Sequence, residues 1–365
     1  MATRDRVRSL WGRITESELA LSLIAVALGL VAGALILAVT SSEPFVAYGA
    51  FWQGVLGSRR GLGEMLYYGT QLILTGLSVA ISFRCGIFNL GAQGNILLGA
   101  MGAAWVGYWI QGLPPLLHVT LALLAGAALG VVWSAIAGYL RARLNMHEVI
   151  TTLLMNYLVI NFKSWIVGPK GPMKAPGLIP ASPPVLESAR LPRLWSDARL
   201  HAGVLIALAC VVVVWYLLFR TRLGYKIRAV GLSASAAEYG GIRVARSIVV
   251  TMAISGFLAG LAGAIEVLAV NYRFSQDLSA SYAWDAIAAA LLGGLHPVGT
   301  ALAALLFGAL SAGFTATQGV ADVSRDTVLV ITALIIFLMV LIRSRKTTAV
   351  ATKGGTSSAG LEQRT

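Results

Sequence analysis

The sequence predicts an all-α polytopic membrane protein with about ten transmembrane helices. Three features of its 365 residues carry this prediction: charged residues make up 12% of the chain, hydrophobic residues make up 57%, and the mean hydropathy is +0.78. Soluble domains carry about 25% charged residues, and no soluble fold has enough interior to hide so much apolar surface. The 40 glycines agree, because glycine is more frequent in transmembrane helices than in soluble ones.

Apolar segments of roughly the length needed to cross a bilayer, about 20 residues, recur along the chain. The ten candidates are 19–40, 65–83, 91–110, 117–140, 149–167, 202–219, 247–270, 282–292, 297–317 and 327–342. The first follows an Arg-rich leader, 1–18, as in a cleaved signal peptide. Its apolar stretch is longer than the roughly 7–15 residues of a cleaved signal, so we expect a retained helix.

The positions of the basic residues predict that both termini lie in the cytoplasm. With ten spans threaded this way, about two-thirds of the 28 Lys and Arg residues fall in cytoplasmic segments, as the positive-inside rule requires. The net charge of +13 therefore reflects membrane topology, and we expect a lipid bilayer and no nucleic acid as a partner.

The transmembrane domain is predicted to cover residues 19–345. One long external loop, 168–200, holds seven of the eleven prolines and is too polar to cross lipid, so it predicts a structured cap with one or two short helical turns. The segment 220–247 is predicted to be a cytoplasmic loop. The Thr-, Ser- and Gly-rich tail, 346–365, is predicted to be disordered.

Two apolar regions are interrupted by glycine and polar residues. One is GIFNLGAQGNILLG (86–99) and the other is LLGGLHPVGTALAALLFG (291–308). Such pairs are typical of a transport path at the interface of an internal repeat, although both are also compatible with ordinary turns between helices. We therefore expect a weak internal repeat.

The motifs of soluble catalysis are missing from the sequence. No phosphate-binding G-x-x-x-x-G-K-[ST] loop and no G-x-S-x-G elbow occur, and His147-Glu148 is followed at position 151 by Thr, not by the second His of a zinc protease. The four histidines are scattered, and Cys85 and Cys210 form no CxxC pair. We expect no catalytic residues, no metal and no cofactor on this chain, and so no enzyme.

The predicted cytoplasmic loop contains a short helix. Basic residues flank the stretch Ser233–Tyr239, in which Ser233 or Ser235 is a suitable N-cap and Gly240-Gly241 is a suitable stop. We expect Gly240 to adopt the left-handed conformation that ends the helix. Such a helix is either a rigid knob on which a cytoplasmic partner acts or a plain connector between two spans.

Four segments together resemble one family. The run AVGLSASAAEYGGIRVARS (229–247) resembles the AA-x-x-x-G-[IV] coupling segment of permease subunits of ATP-binding cassette importers. FRCGIFNLGAQGNILLGA (83–100), LNMHEVITTLLMNYL (144–158) and AAALLGGLHPVGTALAALLFGAL (288–310) are similar to the permeases of branched-chain amino acid, simple-sugar and nucleoside importers, above all the nucleoside branch. The resemblance covers residues 15–345 in order. It departs at Gln93, where the family commonly carries an acidic residue, and at His147.

The resemblance implies partners and a location. Separate ATPase subunits would hold ATP and Mg²⁺, a second and usually different permease subunit would complete the path, and an extracytoplasmic binding lipoprotein would deliver the solute at a bacterial inner membrane. It also implies an ATPase-coupling segment, which consists of Ala236, Ala237, Glu238, Tyr239, Gly240, Gly241 and Ile242.

Polar residues inside predicted spans are candidates for the substrate path, because they are costly to bury in lipid. The candidates are Asn89, Gln93, Asn95, Asn156, Glu266, Trp284 and Asp285. Amides and carboxylates bind ribose hydroxyls and base edges, and Trp stacks on rings, but amides also join helices, at about 0.6 kcal/mol per bond. Asn89 and Gln93 are favoured because an interrupted helix also frees backbone groups. The GxxxG pairs Gly29/Gly33, Gly126/Gly130 and Gly256/Gly260 predict close helix packing.

The function predicted from these features is a permease subunit that imports nucleosides or simple sugars and is driven by ATP hydrolysis on other chains. The alternative is a stand-alone secondary transporter or channel. That alternative needs intramembrane carboxylates to couple an ion gradient, and only Glu266 and Asp285 are available.

Overall fold

The computed structural model describes residues 44–320, with a few isolated positions on either side. This part of the chain is helical, and its β structure is limited to two isolated bridges. The helices are α1 Pro44–Trp52, α2 Arg59–Arg84, α3 Ala92–Trp109, α4 Pro115–Leu144, α5 Glu148–Ile166, α6 Gly203–Arg220, α7 Arg222–Leu232, α8 Ala234–Tyr239, α9 Val244–Glu266, α10 Tyr282–Leu292 and α11 Pro297–Val320. Two π turns, Gln53–Gly57 and Val267–Asn271, follow α1 and α9.

Eight of the ten predicted spans correspond to helices α2–α6 and α9–α11. Six helices in the described residues are long and apolar enough to cross a membrane: α2, α4, α5, α6, α9 with its π turn, and α11. Helices α3 and α10 do not meet these criteria of length and hydropathy. The predicted spans 19–40 and 327–342, the leader and the tail lie outside the described residues, so ten spans, cytoplasmic termini and the repeat stay predictions. Helix α1 was not predicted.

Contacts divide the chain into two units. The larger unit, Ser58–Ala312, contains helices α2–α10 and most of α11, and its centre is α9, which packs against α4, α3 and α2. Helices α2 and α9 run antiparallel, since Tyr67 meets Glu266 at one end and Ser78 meets Ser255 further along. In the other unit, formed by Met1–Gly57 and Gly313–Thr365, the rings of Phe51 and Phe314 pack 5.1 Å apart.

The crossing of α4 and α9 depends on glycine. A side chain at Gly130 would overlap the carbonyl oxygen of Gly256, and one at Gly256 would overlap the carbonyl oxygen of Gly130. A Cβ at Gly260 would lie 2.7 Å from the Gly126 carbonyl oxygen. The two predicted GxxxG motifs therefore pack directly against each other, which confirms the prediction for these four glycines. Gly29 lies outside the described residues, so close packing at the Gly29/Gly33 pair stays a prediction.

The loop 168–200 is held by backbone hydrogen bonds to segments distant in sequence, such as Ser182 N–H to the Phe274 carbonyl at 2.7 Å and Leu186 N–H to the Gly107 carbonyl at 3.0 Å. It contains one 3₁₀ turn, Glu187–Ala189. Two isolated β-bridges join it to other parts of the chain: Ala181 pairs with Ser275, and Arg193 pairs with His201. The prediction of a structured loop with a short helical turn is confirmed. Its external location stays a prediction.

Candidate substrate path and coupling surface

The first interrupted segment joins α2 to α3 and is held by Asn89. Gly86 turns the chain in the left-handed region, with φ +76°. The buried Asn89 side chain then donates to Ser255 Oγ at 2.9 Å and accepts from the backbone N–H of Gly91 at 2.8 Å. Ser255 also contacts Ser78 at 2.8 Å. Both polar atoms of Asn89 are thus occupied in fixing this turn to α9.

Helix α5 holds the other side of the same segment through Asn156. Its Oδ1 accepts from the Gly94 N–H at 2.9 Å, and its Nδ2 donates to the Leu90 carbonyl at 2.8 Å. Thr152 accepts from the Leu90 N–H at 3.2 Å. Asn156 therefore replaces backbone partners that the interruption of the helix removes.

A small cavity lies beside these amides. Three polar atoms that line it, Asn95 Oδ1, Trp133 Nε1 and Ser134 Oγ, have no hydrogen-bond partner in the described part of the chain. The cavity volume is about 10 Å³, which is about the space that one water molecule needs. It is too small for a solute. Gln93 is half-buried on the neighbouring turn of α3.

A second polar cluster surrounds Glu266 at the other end of the α2–α9 pair. Glu266 is 7% exposed, and its Oε1 accepts from Tyr67 Oη at 2.9 Å and from Asn271 Nδ2 at 3.1 Å. Its Oε2 has no partner among the described residues. Asn271 belongs to the π turn Val267–Asn271, a distortion that often marks functional sites in helices.

The same face of α2 carries more buried polar atoms without partners. Gln71 and Thr75 follow Tyr67 at intervals of four residues, and within the described chain neither Gln71 Nε2 nor Thr75 Oγ1 finds a partner. Gln71 Oε1 accepts only a long bond, 3.5 Å, from Tyr282 Oη. Thr300 Oγ1, beside Gly76, is also unpartnered in this region. The sequence analysis missed this face, although polar residues at i, i+4 spacing are a readable signal.

Arg199 joins the loop 168–200 to the start of α2. Its Nε donates to Glu64 Oε2 at 2.7 Å, its Nη2 donates to the same oxygen and to Tyr68 Oη, and its guanidinium lies 4.3 Å from the ring centre of Tyr67. Burial alone lowers the pKa of Arg199, but the bond to Glu64 and the two tyrosines outweigh it and raise the pKa above its ordinary value.

His201 lies near this pair, fully buried. Its Nδ1 accepts from the Gly203 N–H at 3.1 Å, and its Nε2 has no partner in the described structure. Burial, followed by the charge of Arg193, lowers the pKa of His201 to about 4. The imidazole is therefore neutral at physiological pH.

The predicted path residues do not form one site. Asn89, Asn95 and Asn156 cluster at one end of the α2–α9 pair with Gln93 nearby, and Glu266 lies at the other end. Trp284 and Asp285 follow Tyr282 on α10; Trp284 is 46% exposed and Asp285 is half-buried.

The structure brings the two interrupted segments together at the C-terminal end of α2. Arg84 donates to the carbonyls of Leu295 at 3.0 Å and Gly294 at 3.2 Å, in the second interruption. Gly86, in the first, lies against the backbone of Gly231 in α7. The first segment thus contacts a helix of the predicted cytoplasmic loop, and the second is bonded to the end of α2.

That loop contains two helices, α7 and α8. The predicted short helix is confirmed as α8, with Ser233 as its N-cap, since Ser233 Oγ accepts from the Ala236 N–H at 3.3 Å. The prediction for Gly240 is wrong: its φ is −74°, and Gly241 makes the left-handed turn with φ +79°. Helix α7 was not predicted.

Only part of the predicted coupling segment is exposed on the surface of α8. Tyr239 is 96% exposed, and Ala236, Glu238, Gly240 and Gly241 are also exposed. Leu232, just before α8, is 89% exposed. In contrast, Ala237 is 5% exposed, and Ile242 is half-buried, with its N–H bonded to the Ala237 carbonyl at 3.0 Å. Ala237 therefore anchors α8 to its own chain.

Comparison with known proteins gives consistent results. A family model described as the branched-chain amino acid transport system permease component matches residues 61–342. The chain is 38% identical to the guanosine ABC transporter permease protein NupP of Bacillus subtilis, over 88% of this chain and 93% of the relative. It is 33% identical to the nucleoside ABC transporter permease protein NupB of Lactococcus lactis, over 87% and 89% of the two chains.

A sugar permease is also similar. The glucose ABC transporter permease protein TsgB13 of Haloferax volcanii is 32% identical, over 85% of this chain and 84% of the relative. Bacillus subtilis and Lactococcus lactis each hold a second guanosine or nucleoside permease protein to which this chain is similar, at 30% and 27% identity.

Proposed function

The chain belongs to the family of branched-chain amino acid transport-system permease components, and we propose that the solute it imports is a nucleoside. It is a multi-pass membrane protein and a permease subunit of an ABC transporter, not an enzyme, because ATP hydrolysis in such transporters lies on other subunits. The observation that supports a nucleoside over a sugar is the 38% identity to a guanosine permease across nearly the whole of both chains.

The solute path is proposed to pass the cluster around Glu266. A buried polar atom without a hydrogen bond costs about 1–3 kcal/mol, and a hydroxyl or ring N–H of a passing nucleoside would recover part of that cost. Glu266 on α9 and Gln71 and Thr75 on α2 present such atoms. An intramembrane carboxylate is itself a marker of a transport path.

The proposed assembly needs three kinds of partner. Two ATPase subunits hold ATP and Mg²⁺ and dock on the exposed face of α8 in the cytoplasm. A second, different permease subunit completes the path, as the paired permeases of the two relatives' organisms favour. An extracytoplasmic solute-binding lipoprotein delivers the nucleoside at the bacterial inner membrane.

The solute assignment is tested in proteoliposomes that contain the full complex with its binding lipoprotein. ATP-dependent uptake of radiolabelled guanosine is compared with uptake of ribose and glucose, and a complex whose ATPase subunits cannot hydrolyse ATP is the control. We expect guanosine to accumulate only with active ATPase. Accumulation of glucose alone would replace the nucleoside by a sugar, and uptake by the isolated chain under an ion gradient would mean a stand-alone transporter.

The docking of α8 is tested by a matched pair of glycine variants. Gly241→Val places a β-branched residue at φ +79°, a strain of about 1 kcal/mol or more, so α8 shifts and guanosine uptake and ATPase co-purification fall together. Gly240→Ala is the control, because its Cβ meets only ordinary contacts at 3.4 and 3.5 Å. Full uptake and retention in both variants would make the loop a plain connector.

A further inference from the structure

A basic cavity lies beside the coupling helix, and Gly241 at the end of that helix forms part of its lining. It opens between α7 and the start of α9 and encloses about 580 Å³. Three cationic side chains line it: Lys226 from α7, Arg243, which is the N-cap of α9, and Arg246, which is in the first turn of α9. Leu223 and Val250 add apolar surface to the same wall.

None of the three cations forms an ion pair within the described residues. The ion pairs of that part of the chain are Arg141–Glu148, Arg190–Glu187 and Arg199–Glu64, all on other elements. Lys226, Arg243 and Arg246 are exposed, line the cavity and make no side-chain hydrogen bond among the described residues. Three like charges around one opening repel one another. An anion bound between them would relieve this repulsion and would itself be attracted to all three cations.

The position of the cavity limits what that anion is. Helix α9 is a membrane-spanning helix that begins at Val244, and α6, the span before α7, ends at Arg220. The cavity therefore lies where a span meets the interface, and its lining combines three cations with the apolar Leu223 and Val250. A ligand that matches both the cationic and the apolar part of this lining carries a phosphate head and a hydrocarbon tail. Clusters of Lys and Arg directly beside a span are the usual recognition sites for anionic lipids.

We propose that this cavity binds the phosphate headgroup of an anionic phospholipid from the leaflet on which the basic loop lies. The acyl chains would extend along the start of α9, and the headgroup would join α7 to α9 on either side of α8. The lipid would thereby fix the position of the coupling helix. This site stands whether the transported solute is a nucleoside or a sugar.

The test uses the complete transporter in nanodiscs of phosphatidylcholine with a small fraction of phosphatidylglycerol, and native mass spectrometry of the lipids that stay bound. Arg243→Gln/Arg246→Gln removes two charges from the cavity. The matched control, Arg220→Gln/Arg222→Gln, removes two exposed charges from the same loop that do not line it. We expect phosphatidylglycerol retention to fall about tenfold in the first variant and to stay within about twofold of the parent in the second.

Three outcomes would overturn the proposal. Equal loss of phosphatidylglycerol in both variants would mean a diffuse charge effect. Displacement of the bound lipid by millimolar inorganic phosphate would mean a site for the free anion. Unchanged lipid retention with loss of ATPase subunits from the cavity variant alone would mean that the cavity receives an acidic segment of the ATPase.

Discussion

The two ends of the α2–α9 pair both bury polar side chains, but they use them differently. At the end near Asn89, amide atoms bond to backbone groups that the interrupted helix leaves open, and the remaining unpartnered atoms face a cavity of water size. At the end near Glu266, a carboxylate oxygen on α9 and the amide nitrogen of Gln71 on α2 lack partners in the described chain, and the Thr75 hydroxyl, one turn further along α2, lacks one too. The first arrangement holds the fold together, and the second retains capacity for a ligand.

Polar residues in membrane spans either hold the fold together or bind a solute, and this difference shows which role each end of the pair has. An amide whose donor and acceptor are both satisfied offers nothing to a solute without first breaking a structural bond. A buried atom that is unsatisfied carries an energetic cost that natural proteins rarely keep without a use. The position of a residue within a span therefore says less about transport than the completeness of its hydrogen bonds.

The largest expected effect is the loss of stability in Asn156→Leu. This change leaves the Gly94 N–H and the Leu90 carbonyl without their partner, and we expect unfolding free energy to fall by about 2–4 kcal/mol. The measurement is thermal unfolding of the purified chain. Asn161→Leu is the matched control on the same helix, since Asn161 is exposed and bonds only the carbonyl of Tyr157. Equal stability of the two variants would show that the hydrogen bonds of Asn156 do not stabilise the fold.

The next effect is a pH dependence that arises at His201. Because its folded pKa of about 4 lies below the ordinary value, the unfolded chain takes up a proton first as pH falls. The stabilising contribution is complete above about pH 6.5 and is lost on acidification towards pH 4, by up to about 3 kcal/mol. His201→Gln is expected to flatten the fall in unfolding temperature over that range. The exposed His147, replaced by Gln, is the control and is expected to keep the parental slope; a parental slope in His201→Gln would contradict the assignment.

A smaller effect is expected for Gln71→Leu. Removal of an unpartnered amide leaves unfolding free energy within about 1 kcal/mol of the parent, because little bonding is lost. Guanosine uptake by the complex is nevertheless expected to fall roughly threefold, as one polar contact along the path disappears. Ser82→Ala serves for comparison, since that hydroxyl donates only to carbonyls of its own helix. Parental uptake in Gln71→Leu would show that the solute does not pass this face of α2.

Much of the fold was predictable because it follows from local patterns. Apolar length located eight of the helices, and the paired GxxxG motifs located the crossing of α4 and α9, since only glycine allows backbones so close. The N-cap and the end of α8 also followed from short-range chemistry, although the glycine in the left-handed turn is Gly241, one residue later than predicted.

The partners of polar residues were not predictable in the same way. Asn89 and Gln93 were favoured because the helix is interrupted there, but the bonds of Asn89 depend on Ser255, far along the sequence. Glu266 meets Tyr67 across 199 positions, and Arg199 reaches Glu64 across 135. Such pairings are set by how the helices assemble, which a single sequence does not state.

The central claim, that the solute passes the Glu266 end and not the Asn89 end, is tested most directly by ATP-dependent guanosine uptake in two variants. Glu266→Gln keeps the size of the side chain and an acceptor for Tyr67 and Asn271, while Gln93→Leu changes the residue that the sequence favoured at the other end. The account predicts that Glu266→Gln assembles normally but loses uptake by about tenfold, equivalent to about 1.4 kcal/mol, and that Gln93→Leu keeps parental uptake. Parental uptake in Glu266→Gln together with a loss in Gln93→Leu would contradict it.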